Sequence, residues 1–253
     1  MKNIEKEKNK FARKSLKKLN KQIKKNKKLN KHPRVEPPHH SILEEIGNAV
    51  SHGLGSILAL IGLVLMLIHS KNGYMKLSSI IYMASMFFMC LNSCLYHSFK
   101  WGKTVKRIWR RFDYTSIYLM ICGTFAPLQL VELGREFGNL GQDLGIAYFA
   151  LIWLLAIVGI IFTCTFGPER TRKLNFPLYF IIGWSALCMV PGWFMYNRNL
   201  FYYIFAGGVV YSLGMIPFGL LRGKNVAHFI WHIFVIVGSI IQFLGIYLYI
   251  FLV

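Results

Sequence analysis

The sequence predicts an all-α fold, a bundle of seven transmembrane helices. Hydrophobic residues make up 55% of the 253 residues and charged residues only 16%, and after about residue 45 the hydrophobic residues gather into seven long runs. Each run is close to the ~20 residues with which a helix crosses a ~30 Å hydrocarbon core. The runs are apolar on all faces, unlike the alternating strands of ~10 residues in a membrane barrel. They cover residues 50–68, 77–96, 114–131, 144–166, 176–196, 201–221 and 228–253.

The basic residues predict the orientation of this bundle. Of the 30 Lys and Arg residues, 15 lie in the first 34 positions. When the other 15 are assigned to the loops between the runs, 11 of them fall on the same side of the membrane as the N-terminal tract, which gives 26 on that side and 4 on the opposite side. The positive-inside rule then places the N-terminus in the cytoplasm, and seven crossings place Val253 outside the cell membrane.

Residues 1–40 form a Lys-rich arm that precedes a membrane domain of residues 41–253. The arm cannot bury enough apolar surface to fold alone, so we expect a cytoplasmic segment that is disordered in water. Leu16, Leu19 and Ile23 recur at helical spacing between lysines, so the arm could instead lie on anionic headgroups as a basic surface helix. Because the arm adjoins a bilayer, we expect membrane lipids as its partners and not nucleic acid. Nothing in the sequence indicates a protein partner.

Three histidines from distant runs are predicted to meet at the cytoplasmic side. His97 directly follows the second run and His228 begins the seventh. His232 lies four residues after His228, which places both rings on one helical face with Cβ atoms ~5–6 Å apart. Three imidazoles with an open fourth position are typical of catalytic zinc, so zinc is the expected cofactor. The alternative is that these rings lie at headgroup level and hydrogen-bond to water.

Two further polar residues fall at the same depth and suggest a chemistry. Ser93 lies one turn before His97 on the same helical face, and Asp113 begins the third run. Zinc lowers the pKa of a bound water to ~7 and polarises carbonyl groups. Asp113 could orient or deprotonate that water, and Ser93 could bind the water or the oxyanion. The segment HFIWH has no Glu after its first His, so a peptidase of the HExxH type is not indicated.

These motifs together resemble the hemolysin III family, the bacterial branch of the progestin and adipoQ receptor superfamily, from about Glu45 to the C-terminus. The family's E-x2-N-x3-H motif reads Glu45, Asn48 and His52. Its S-x3-H motif with a following Asp reads Ser93, His97 and Asp113, and its H-x3-H motif reads His228 and His232. The resemblance implies a seven-helix fold with the N-terminus inside and a zinc ion held by the three histidines. Family relatives include ceramidase-like lipid amide hydrolases. Tyr114 and Thr115 depart from the His and Ser that are commoner after the Asp.

Three functions are compatible with these observations. The first is a zinc-dependent hydrolase that acts on a lipid-like amide, since its chemistry uses each of the polar residues named above. The second is a cytolytic, pore-forming protein, which the family name suggests. The third is a non-enzymatic sensor or regulator of membrane state in which zinc holds the second and seventh helices together. A pore requires a polar stripe along several helices, whereas the distinctive polar residues of this sequence cluster at one end of the runs.

Overall fold

The computed structural model describes residues 13–22, 24, 36–189, 192, 195–220 and 226–253. The chain divides into two units, Met1–Glu36 and Pro37–Val253. Within the first unit residues 13–22 are helical, and Leu16 and Leu19 are exposed. Ile23, the third apolar position of the predicted surface helix, lies outside the described residues. The disorder expected for the arm in water remains a prediction.

The second unit is helical, with seven long helices and no strand among its described residues. A short π-helix, Leu128–Glu132, follows the third helix, a 3₁₀ turn, Ser185–Met189, follows the fifth, and a second π-helix, Tyr247–Phe251, follows the seventh. The helices are α1 Ile42–Ile68, α2 Gly73–Ser98, α3 Thr104–Pro127, α4 Leu133–Phe166, α5 Pro168–Trp184, α6 Arg198–Leu220 and α7 Ala227–Ile246.

Five segments of the described chain are long and apolar enough to cross a membrane. One of them is the uninterrupted stretch Thr104–Phe166 of 63 residues, which includes both α3 and α4. As a straight helix it would be about 95 Å long, three times the thickness of a hydrocarbon core. Helix α5, with 17 residues and a polar, basic first half, PERTRKLN, is not among the five. The described chain therefore has one long helix for each of the seven apolar runs, and six of these helices lie within the five segments.

The stretch Thr104–Phe166 reverses direction at Gly138. This glycine has φ 60° and ψ −141°, a backbone conformation in the region that favours glycine. A Cβ atom on Gly141 would lie 1.9 Å from the carbonyl oxygen of Leu133, and one on Gly145 would lie 1.9 Å from that of Gln129. The backbone after Gly138 therefore runs directly against the backbone before it, and only glycine allows so close an approach.

Helix α1 shows how the sequence distributes polar residues around a membrane helix. Glu44, Asn48, His52 and Ser56 recur every four residues and are all buried against other helices. The opposite face carries exposed aliphatic side chains such as Val50. This is the reverse of a soluble helix, and it is expected where lipid surrounds the bundle and polar groups are costly on its outside. The exposed aliphatic residues of α1 include Ile42, Leu43, Ile46, Leu54, Ile57, Leu58, Leu60, Ile61 and Val64.

The same helix brings the first and last parts of the bundle together. Helix α1 packs against α2 on one side and against α7 on the other. The approach is close because a Cβ on Gly55 would lie 2.7 Å from Cys90 Sγ of α2, and one on Gly47 would lie 3.0 Å from the Phe229 ring of α7. Small residues at such contacts are typical of packed membrane helices. As a result His97 of α2 and the histidines of α7 meet beside the first turns of α1.

Candidate metal centre

The three histidines predicted as ligands lie together at the ends of α2 and α7. One ring nitrogen from each of His97, His228 and His232 can be chosen so that all three atoms lie within 4.8 Å of one another. His97 and His232 are buried and His228 is partly buried. The ring centroids are 5.0 Å apart for His97 and His228, 5.0 Å for His97 and His232, and 4.8 Å for His228 and His232. This group could hold a metal ion.

The spacing of the nitrogens agrees with that of a metal shell. At zinc–nitrogen distances of ~2.0–2.1 Å, two imidazole nitrogens of a tetrahedral site lie about 3.3 Å apart. The Nε2 atoms of His97 and His228 lie 3.1 Å apart. A pair at the outer limit of 4.8 Å would have to approach by about 1.5 Å, a shift that side-chain rotation can supply. The donor set, three nitrogens without a thiolate, is one that zinc accepts.

Glu45 fixes the orientation of His97. Its Oε2 atom lies 2.7 Å from His97 Nδ1, and its Oε1 atom accepts a hydrogen bond of 2.6 Å from Lys106 Nζ. A carboxylate can only accept, so the imidazole proton belongs on Nδ1 and the lone pair of Nε2 points toward the other histidines. Carboxylates commonly hold metal-binding histidines in this way. Lys106 is fully buried, so its charge compensates that of Glu45 inside the bundle.

The other residues of the first motif lie beside the same three rings. The Asn48 side chain is fully buried, with Nδ2 3.5 Å from His97 Nδ1. His52 stacks on His232 with ring centroids 3.8 Å apart and an angle of 17° between the planes. Both ring nitrogens of His52 are buried without a hydrogen-bond partner among the described residues. The motif therefore supplies one orienting carboxylate and one packing partner for the ring of His232.

A cavity of about 170 Å³ borders the centre on its membrane side. His228, His232, Ser93 and Asp113 contribute to its wall at one end, and Gln242 lies 14 residues farther along α7. Between these limits the wall consists mainly of apolar side chains from α3, α5, α6 and α7, among them Ile117, Met120, Ile121, Phe180, Ile204, Phe205 and Val235. Ser93 and Asp113 are thus beside the histidines and face a common apolar space. Asp113 does not belong to the group of candidate ligands.

Two residues of this region escaped the sequence reasoning. Lys106 was counted only as a basic loop residue, although it precedes Asp113 by seven positions and therefore lies on the same face of α3. His40 precedes α1 and was not singled out, although it lies only five positions before Glu45. Its ring is 5.1 Å from that of His228 between centroids. Burial lowers the pKa of the His40 imidazole below its usual value, an effect larger than the opposite influence of the nearby Glu45 carboxylate.

A bundle of apolar helices with a histidine centre at one end defines a class, the multi-helix membrane proteins with a polar site enclosed between helices. Comparison of sequences identifies the family within that class. The family model described as haemolysin-III related matches residues 40–243, and the chain belongs to this family. The match includes every residue of the three motifs. The protein is accordingly a membrane protein of the hemolysin III type.

Individual relatives extend this relationship. Hemolysin-3 of Bacillus cereus is 37% identical over 213 residues, which cover 83% of this chain and 93% of that protein. The Hemolysin-3 homolog of Bacillus subtilis (strain 168) is 34% identical over 213 residues, 83% of this chain and 95% of its own length. A more distant relative is the human protein named Monocyte to macrophage differentiation factor, 27% identical over 213 residues, 82% of this chain and 85% of its own.

Proposed function

We propose that this protein is a zinc-dependent hydrolase that cleaves a lipid-like amide at the cytoplasmic side of the cell membrane. The observation that carries the proposal is the cavity, because it joins the histidine centre, a serine and a carboxylate to a long apolar space. A site for a water-soluble substrate would open to water and carry polar walls. An apolar space beside a water-activating centre instead suits a substrate that has a polar head and a hydrocarbon tail.

The length of the cavity supports an acyl chain as this tail, whereas its volume of about 170 Å³ is below the ~300 Å³ of ordinary ligand pockets, so side chains along the wall must move to admit the whole chain. His228 and Gln242 are 14 residues apart on α7, which corresponds to about 21 Å along a helix axis. An extended hydrocarbon chain advances ~1.25 Å per carbon, from a C–C bond of ~1.5 Å and an angle near 111°. A chain of about 16 carbons therefore spans the distance from the histidines to Gln242. The substrate carbonyl would lie at the histidine end.

Each polar residue has a role in this proposal. His97, His228 and His232 would hold zinc, which supplies a water of lowered pKa and a Lewis acid for the carbonyl. The Asp113 carboxylate accepts a proton from the attacking water and can pass it to the leaving amine. The Ser93 hydroxyl donates a hydrogen bond to the carbonyl oxygen as that oxygen gains negative charge. Glu45 keeps the proton of His97 on Nδ1, and the apolar wall excludes bulk water.

The proposal also includes seven crossings with a cytoplasmic N-terminus. The reversal at Gly138 supports separate crossings by α3 and α4. Helix α5 would cross with the help of the apolar residues that follow its polar first half. The concentration of Lys and Arg on the N-terminal side of the runs supports the orientation. A reporter enzyme that is active only outside the cytoplasm, fused after Val253, should be active, and the same fusion within the loop 99–103 should be inactive; the opposite result would contradict the orientation.

The direct test is metal content and amide hydrolysis of the protein purified in detergent. We expect about one zinc per chain by mass spectrometry and hydrolysis of a fluorogenic amide with a C16 acyl chain. His232→Ala should lose both. His69→Ala is the matched control, because His69 caps the opposite end of α1 and should leave both unchanged. A folded wild-type protein without zinc would refute the proposal, and zinc without hydrolysis of any lipid amide would leave a metal site without the proposed activity.

Lysis is the second candidate function, because two relatives carry the printed name Hemolysin-3. Hydrolysis of lipid could weaken a membrane indirectly, whereas a pore would act without chemistry. Asp113→Asn separates the two, since it removes the proposed proton acceptor and leaves the histidines in place. Release of dye from vesicles that persists in this variant would favour a pore. A regulator without turnover, the third candidate, would instead lose its fold when a chelator removes zinc.

A further inference from the structure

A short segment ahead of α1 lies beside the histidine centre. Residues 37–41 form no helix, and two contacts with the loop after α2 hold them in place. The Trp101 indole donates a hydrogen bond of 2.9 Å from Nε1 to the carbonyl oxygen of Pro37, and the rings of His39 and Trp101 meet edge to face at 5.3 Å. This anchoring turns the next residue, His40, toward the bundle.

His40 lies beside the histidine group but outside the three residues whose nitrogens lie within 4.8 Å of one another, so it would have to move inward to bind the same ion. Its ring centroid is 5.1 Å from that of His228 and 6.0 Å from that of His97. The first of these distances is almost the same as the 4.8 to 5.0 Å between the rings of the other three histidines. His40 thus touches the group from the side of His97 and His228, whereas the apolar cavity borders His228 and His232. His40 and the apolar cavity therefore reach the centre from different sides.

The Nδ1 atom of His40 lies near a carboxylate, as that of His97 does, but the contact is weaker. His97 Nδ1 hydrogen-bonds to Glu45 Oε2 at 2.7 Å, whereas His40 Nδ1 lies 3.2 Å from Glu44 Oε1 at ion-pair distance without hydrogen-bond geometry. The Nε2 atom of His40 is buried and has no hydrogen-bond partner among the described residues.

We propose that His40 is a fourth, exchangeable ligand of the metal centre, so that the resting site is closed by four imidazoles and opens when residues 37–41 move away. This inference rests on the metal site of the proposed function and adds its regulation. A site with four protein ligands is typical of structural zinc, and catalysis needs an open position. The anchoring by Trp101 determines which of the two states prevails. Substrate or water from the cavity then competes with His40 for the metal.

The test is the coordination of Co²⁺ or Zn²⁺ in the full-length protein, measured by X-ray absorption and by the visible spectrum of the Co²⁺ form. The wild type should show four nitrogen ligands. His40→Ala should show three nitrogens and one oxygen, a Co²⁺ spectrum that changes with pH as a bound water ionises, and metal affinity lowered by at least about tenfold. Added imidazole should restore the four-nitrogen spectrum in this variant.

His69→Ala is the control, because His69 caps the opposite end of α1, away from residues 37–41. It should keep four nitrogens. Three nitrogens and one oxygen in the wild type, with no change in His40→Ala, would overturn the role of His40 and leave the three-histidine site intact. Absence of bound metal from the wild type would overturn both proposals. In the hydrolysis assay with saturating zinc, His40→Ala should be faster than the wild type, since its fourth position is always open.

Discussion

Glu45 offers the sharpest test of how the histidine centre is built, because one carboxylate serves two partners. Its Oε2 atom faces His97 Nδ1 at 2.7 Å and its Oε1 atom binds Lys106 Nζ at 2.6 Å. Removing the carboxylate should therefore have two separable effects. One is a loss of metal affinity, through the orientation of His97. The other is a loss of stability, through the uncompensated charge of Lys106.

The expected loss of metal affinity is worked out from the contact with His97, and the expected loss of stability from the contact with Lys106. Loss of the carboxylate behind a metal-binding histidine costs ~10–100-fold in affinity, which is about 1.4 to 2.7 kcal/mol. Glu45→Gln should lie near tenfold, because the amide oxygen still accepts from Nδ1 but without the added strength of a charged acceptor. Glu45→Ala should lie near 100-fold. Breaking a buried ion pair costs ~3–5 kcal/mol, and the 17% exposure of the Glu45 side chain places the expected loss near 3 kcal/mol.

A double variant separates the two effects. Glu45→Gln combined with Lys106→Met removes both charges, so the unfolding free energy should return to within ~1 kcal/mol of the wild type. Metal affinity should stay reduced, since His97 still faces an uncharged acceptor. Competition with a zinc chelator measures the affinity, and denaturant unfolding in detergent measures the stability. Asp143→Asn, an exposed carboxylate change in α4, is the control. Unchanged affinity in Glu45→Ala would refute an orienting role and leave Glu45 only as the counter-charge of Lys106.

Three other variants test the cavity, the chemistry and the packing. Asp113→Asn should keep one zinc per chain by mass spectrometry and lose ~10²–10⁴-fold in amide hydrolysis, and an unchanged rate would exclude Asp113 as the proton acceptor. Gly208→Leu should shift the preferred acyl length below C16 in a chain-length series, because it fills the far end of the cavity, where a Cβ would meet Trp184 only at 3.7 Å. An unchanged preference would contradict an acyl chain in this space. Gly159→Ala should destabilise the protein by ~1–3 kcal/mol in denaturant unfolding, since its Cβ would lie 2.3 Å from the buried ring of Tyr118. Gly73→Ala meets no atom within 4 Å and is its control.

The sequence predicts the number of helices well, because the backbone N–H and C=O groups of each apolar run must be hydrogen-bonded within one helix. It predicts their limits less well, as α3 and α5 illustrate. Helix α3 begins at Thr104, ten residues before its apolar run, because Lys106 and Arg110 turn inward and pair with Glu45 and Glu169. Helix α5 begins at Pro168 for a related reason, since the buried Asn175 binds Tyr118 and Thr163 of neighbouring helices. Such pairings depend on tertiary contacts that hydropathy does not contain.

The candidate site, like the fold, could be predicted from the sequence only in part. Depth in the membrane and helical spacing are enough to bring His97, His228 and His232 to one level. The partner of His97 is Glu45, 52 residues earlier in the chain, and only the packing of α1 between α2 and α7 selects that carboxylate over its neighbour Glu44. The cavity is harder still to foresee, because its wall is assembled from side chains of several helices that are individually ordinary apolar residues.

The carboxylates beside the histidines would favour the binding of a divalent ion. Glu45 lies against His97, and Asp113 lines the cavity next to the histidines. A charged carboxylate is costly in a medium of low dielectric constant unless a cation compensates it, and the proposed ion would do so. Three closely spaced neutral imidazoles accept a cation, whereas protonating two of them would place like charges within 4.8 Å of each other. The proposed divalent metal would therefore suit this centre better than protonated histidines would, whether or not that metal is catalytic.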